Sequence, residues 1–126
     1  MNQIAILAIP CACMVLDIAT GYAAAAYNGN VDSSTMARGL WKKLSEIGAI
    51  VIAKMGELAL AAYGGDAFSV SADVPLCTSV CAYLTIVELV SCMENVGKLN
   101  PTVAAFLRDT FGISADKLNL DDTDGE

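Results

Sequence analysis

From Ile4 to Tyr27 the chain carries a single charge, Asp17, and a run of this kind leaves few folds open to it. A helix rises about 1.5 Å per residue and a bilayer's hydrocarbon core is about 30 Å thick, so about 20 apolar residues cross it. Two more runs follow: Ile47 to Tyr63, interrupted by Lys54 and Glu57, and Pro75 to Asn95, containing Glu88 and Glu94. Composition points to the same solvent. Of 126 residues 56 % are apolar and 17 % charged, with a mean hydropathy of +0.56. Soluble domains carry about 25 % charged residues, and so short a chain cannot enclose the apolar surplus in a water-surrounded core. The net charge of −7 does not change this, because five of the fourteen acids fall within residues 116–126.

The expected fold is an all-α membrane protein with three transmembrane helices, at about 4–27, 47–63 and 75–95. A short cytoplasmic amphipathic helix follows at about 101–111. Residues 1–115 read as a single transmembrane domain and 116–126 as an acidic, disordered tail. The first run is not read as a secretory signal, since Met1-Asn2-Gln3 has no cation and Asp17 interrupts the apolar stretch. Asp32-Ser33-Ser34 offers helix N-caps for a segment that runs directly into the second span. Asn100 followed by Pro101 is a cap with a first-turn proline, and Gly112 a stop. Val103, Phe106, Leu107 and Phe111 between them share a helical face, for a helix lying on the inner leaflet or packed under the bundle.

Lys and Arg set orientation. Arg38, Lys42 and Lys43 lie in the first loop, and Lys98, Arg108 and Lys117 after the third run, whereas Gly64 to Val74 holds Asp66, Asp73 and no cation. Six of seven cations thus share a side, so the expected localisation is a plasma membrane, with the N-terminus outside and the C-terminus in the cytoplasm. Arg38, Trp41, Lys42, Lys43 and Lys98 read as anchors at the cytoplasmic surface.

Chemical motifs are mostly missing. Without histidine the chain lacks the usual general base and the commonest metal ligand. It carries no glycine-rich phosphate loop and no nucleophile elbow. Cys11, Cys13, Cys77 and Cys81 do not follow a zinc pattern and read as packing residues, with an outward-side disulfide left open. Neither an enzyme nor a nucleic-acid binder is expected, and no cofactor or metal.

The informative residues are ionisable ones at membrane depth. Counting outward from each span's centre puts Asp17, Lys54 and Glu88 within about 5 Å of one level, with Glu57 one turn beyond Lys54. Such charges cost about 2.5–3.5 kcal/mol each on a lone helix, so they should face other helices or water. Two polar stripes agree with an inward face: Cys81, Thr85, Glu88, Cys92 and Asn95 on the third run, and Cys13, Asp17, Thr20, Gly21 and Ala24 on the first. Ser91 and Glu94 complete the polar set, while Gly21, Ala24, Ala25, Gly48 and Gly56 allow close helix packing. A three-helix monomer has little interior for four charges, which favours a homo-oligomer.

Leu16-Asp17-Ile18-Ala19-Thr20-Gly21 resembles the Asp-x-x-Thr-Gly motif in the first helix of phage holins of the toxin-secretion/phage-lysis type. Ser33-Ser34 with Arg38-Gly39-Leu40-Trp41-Lys42-Lys43 is similar to that family's basic loop, and Glu57 stands where the family often has Asp. Glu88-Leu89-Val90-Ser91-Cys92-Met93-Glu94-Asn95-Val96-Gly97, with Pro101 after it, looks like the family's Glu-x-x-Ser-x-x-Glu-Asn motif. The resemblance spans about residues 10 to 112. It implies a protein that oligomerises in the bacterial inner membrane and opens timed lesions. These release an endolysin, or in some relatives a toxin, without a stable complex with it. Two readings from the residues compete with this: a small ion channel or ion-coupled transporter subunit, and an anti-holin or passive membrane scaffold.

Overall fold

The computed structural model describes residues 2–63 and 75–112. They form four helices: α1 (Gln3–Tyr27), α2 (Ser33–Tyr63), α3 (Leu76–Gly97) and α4 (Pro101–Phe111), and no strand occurs among the described residues. The Gly64–Val74 loop and the 116–126 tail expected from the sequence lie outside the described residues, as does Lys117.

Local chemistry explains the boundaries. Helix α1 runs through Pro10 and ends in a Schellman arrangement. The Asn30 N–H donates to Ala25 O at 2.9 Å and the Gly29 N–H to Ala26 O at 3.2 Å, with Gly29 at φ 68°. That left-handed turn suits glycine, and Asn28-Gly29 is a helix stop that the sequence expectations omit. Helix α4 has the expected ends. The Thr102 N–H donates to the Asn100 side chain at 3.0 Å, Pro101 fills the first turn, and Gly112 closes the helix at φ 65° with its N–H on Arg108 O.

The capped segment expected to run directly into the second span forms one continuous helix with it, α2, of 31 residues. By length and composition two helices are apolar enough to cross a membrane, α1 and α3. The expected three are therefore two by this measure. Ile47–Tyr63 differs because Lys54 and Glu57 fall inside it and Glu46 borders it.

The described residues cluster into two compact units. One takes α1 up to Ala12, all of α2, and α3 up to Ile86; the other takes α1 from Cys13, α3 from Val87, and α4. In the first, Ile50, Cys77, Cys81 and Leu84 are buried together with Lys43 and Glu46. In the second, Met14, Ala24, Cys92, Ala104 and Leu107 are buried, and Ala104 and Leu107 pack against Met93 and Val103. The α4 face thus splits. Leu107 goes inward, whereas Phe106 and Phe111 stay exposed and meet edge to face, 6.3 Å apart at 81°.

Burial is inverted relative to a soluble protein. Glu88 is fully buried, while Ile4, Val15, Tyr22, Ile52, Tyr83 and Ile86 are among the many large apolar side chains left exposed. Water penalises such a surface, whereas hydrocarbon accepts it. Such a surface is what helices that cross a bilayer present, and α1 and α3 are long and apolar enough to do so.

Candidate functional site

Within the second unit, the two polar stripes converge on one amide. Asn95 Nδ2 lies 3.1 Å from Asp17 Oδ1, 3.4 Å from Asp17 O and 3.3 Å from Thr20 Oγ1. The Thr20 hydroxyl donates to Asp17 O at 3.1 Å, so it can accept from Asn95. Gly21 completes the arrangement, because a Cβ there would stand 3.3 Å from Asn95 Nδ2. The residues of Asp-x-x-Thr-Gly thus divide the contact between them, with Asp17 and Thr20 accepting and Gly21 leaving room for the donor. One turn earlier on each helix, Cys92 Sγ lies 3.9 Å from Cys13 O. Pairing 13 with 92 and 17 with 95 means that α1 and α3 run parallel in this unit. In a bilayer, hydrogen bonds of amides and hydroxyls such as these hold helices together.

This register corrects the depth estimate. Asp17 lies level with Asn95, seven residues along α3 from Glu88 or about 10 Å by helix rise, so Asp17 and Glu88 do not share a level. Counting from span centres fails because α1 and α3 are offset. Glu88 stands above the amide cluster, fully buried. Ser91 and Glu94 are half-buried nearby in sequence.

The first unit carries the second polar cluster. Glu57 Oε1 accepts from the Cys77 N–H at 2.8 Å and Glu57 Oε2 from Lys54 Nζ at 2.9 Å. Cys77 belongs to the first turn of α3, whose N–H groups have no partner within the helix and carry its positive end. Glu57 therefore caps a neighbouring helix while paired with a cation of its own. Sequence spacing reveals Lys54–Glu57 but not the capping contact, which joins residues twenty apart. Along α3, the polar contacts with other helices fall at Cys77 in the first unit and at Asn95 in the second.

A further pair escapes the sequence reading altogether. Glu46 lies 3.7 Å from Lys43 and 3.4 Å from Lys42, and both Lys43 and Glu46 are buried. The i,i+3 and i,i+4 spacings are the available signal. Lys43, expected as a surface anchor, instead points inward, because adjacent residues on a helix differ by about 100° of rotation. Arg38, Trp41 and Lys42 are exposed as expected of anchors, and Lys98 is half-buried. Thr85 spends its hydroxyl on Cys81 O at 2.7 Å within its own helix. Of the small residues, Ala24 is buried, Gly56 lies 3.5 Å from Leu76 Cδ1, Ala25 is half-buried, and Gly48 borders open space.

All five cysteines are free thiols: Cys77, Cys81 and Cys92 buried, Cys13 half-buried, Cys11 exposed. Among the described residues no group of three or more acidic or cysteine side chains is placed to hold a metal ion. The arrangement suits helix-to-helix adhesion and electrostatic latching.

No curated protein and no solved structure matches the chain. A family does: residues 3–115 match the sequence model of the Bacteriophage holin family, and the chain belongs to that family.

Proposed function

We propose that the protein is a working holin: it accumulates in the bacterial inner membrane, self-associates, and at a timed point opens lesions through which an endolysin reaches the cell wall. In toxin-exporting relatives the cargo would be a toxin. The observation that carries this reading is the inverted burial, with Glu88 hidden and apolar side chains turned outward on α1, α2 and α3, in a chain of the holin family. The lesion is the activity; the reading includes no catalysis, no cofactor and no lasting complex with the cargo.

The topology proposed is three spans, with Ile47–Tyr63 crossing between α1 and α3, the N-terminus outside and the C-terminus in the cytoplasm. The Glu57–Cys77 contact supports it, because the end of α2 must return to the start of α3. Six of seven cations then share the cytoplasmic side.

In the compact state Asp17 rests on Asn95, Glu57 on Lys54 and the α3 terminus, and Glu88 is enclosed. Moving one elementary charge across the membrane potential is worth about 2.3 kcal/mol per 100 mV. Collapse of that potential would favour a state in which these groups separate and line water. A single chain already encloses Glu88, so hiding charge does not by itself require a second copy. Support for self-association comes instead from membership of the holin family and from Gly48, which has open space beside it where a second helix could come close.

Timed expression tests this reading, with viability and dye leakage followed beside a co-expressed cytoplasmic endolysin. Abrupt, delayed killing with release of the endolysin is expected. Continued growth at full membrane accumulation overturns the proposal.

A further inference from the structure

We infer that the first half of α2 docks onto anionic phospholipid, with Ala37, Leu40, Trp41 and Leu44 forming a bed for acyl chains and Arg38 and Lys42 holding the phosphate-bearing headgroups. The inference rests on the membrane reading and not on lesion formation.

These four apolar residues line a shallow, open depression of about 300 Å³, and Leu40, Trp41 and Leu44 are exposed around it. At about 100° per residue, Trp41 falls between this bed and the flank that carries Arg38 and Lys42. Lys43 falls on the opposite side, buried beside Glu46. The fold thus divides three neighbouring cations into one internal counter-ion and two that face outward. From Ser33 to Ser45 the chain has those three cations and no acid, although its net charge is −7. The local field is therefore opposite in sign to the molecule's.

An apolar strip with a tryptophan beside flexible cations is the pattern that lies at a lipid–water boundary. The ring sits at headgroup depth, and the stems of Lys and Arg run along hydrocarbon while their charges reach phosphate. The Lys42–Glu46 pair is no obstacle: Glu46 is buried and also held by Lys43, while the Lys42 side chain is about half exposed and can turn to phosphate. Between Ser33 and Ser45 a second copy offers no acid, and Glu46 beyond it is buried, whereas an anionic headgroup layer presents phosphate to Arg38 and Lys42.

Trp41 is the only tryptophan in the chain, so its fluorescence reports on this face alone. The full-length protein would be reconstituted in phosphatidylcholine vesicles containing phosphatidylglycerol, with one or the other lipid brominated at equal mole fraction. Co-flotation after an alkaline wash establishes insertion. Quenching of Trp41 by brominated phosphatidylglycerol should be about threefold stronger than by brominated phosphatidylcholine. The double variant Arg38→Gln/Lys42→Gln should lose that preference while still being quenched, and Lys43→Gln should retain it. Equal quenching by the two lipids in the wild type overturns the inference. So does protection of Trp41 from both lipids that grows with protein density, which would assign the bed to a second copy. Failure to float would overturn the membrane reading itself.

Discussion

Asn95 reaches Asp17 across 3.1 Å, and this contact joins the two motifs that the sequence keeps 78 residues apart. The amide sits where it does only because position 21 has no side chain. A Cβ there would stand 3.3 Å from Asn95 Nδ2, closer than most such contacts. Gly21→Ala should push the amide by a few tenths of an ångström, and Gly21→Val should dislodge it. Asn95→Ala should lose about 1 kcal/mol, the usual size of a hydrogen-bonded contact between membrane helices. Thermal unfolding in detergent micelles would measure both. A Gly21→Val protein as stable as wild type would show that the contact is incidental.

The capping contact on α3 separates shape from charge. Glu57→Gln keeps an oxygen that can accept from the Cys77 N–H, whereas Glu57→Ala leaves that N–H at a bare helix terminus. Amide exchange at Cys77 should therefore quicken about tenfold in Glu57→Ala and much less in Glu57→Gln. Equal exchange in the two variants would sink the capping role.

The proposed switch makes opposite predictions for two buried or half-buried charges. Glu88 is fully enclosed, so Glu88→Gln removes the desolvation penalty of any ionised form and should favour the compact state, delaying lysis. Lys54→Met deprives Glu57 of its cation and should advance lysis. Both variants should still insert. Onset of lysis in liquid culture is the readout, and wild-type timing in both would remove these charges from the switch.

Thiol exposure orders the cysteines for crosslinking in membranes. Cys11 is exposed, while Cys77, Cys81 and Cys92 are buried. Bifunctional maleimides should couple neighbouring copies through Cys11, and Cys11→Ser should abolish most of the crosslinked dimer. Crosslinking that instead persists in Cys11→Ser and vanishes in Cys77→Ser would contradict the arrangement around the start of α3.

Helix α4 provides a stability test outside the spans. Asn100→Ala should cost about 1 kcal/mol through loss of the cap on Thr102. Leu107→Ala should cost about 2–5 kcal/mol, because Leu107 packs against Met93 in a closed contact. Phe106→Ala should cost far less, since that ring is largely exposed. Urea titration of the detergent-solubilised protein, followed by circular dichroism, would rank the three.

Elements and solvent are legible along the chain alone. Apolar run length marks α1 and α3, Asn100-Pro101 and Gly112 mark α4, and two spaced motifs are enough to suggest the family. These are local properties: periodicity, capping and run length act over a few residues and can be read in order. Which groups meet is a matter of packing in three dimensions. Helix offset places Asp17 beside Asn95 and two turns from Glu88, because relative sliding of helices leaves no mark in either segment by itself. Glu57's contact with the α3 terminus likewise depends on where a second helix begins in space. The fate of adjacent lysines is also a packing outcome, with Lys43 turned toward Glu46 and Lys42 toward solvent. A helix places neighbours on different faces, but only the bundle decides which face is inside.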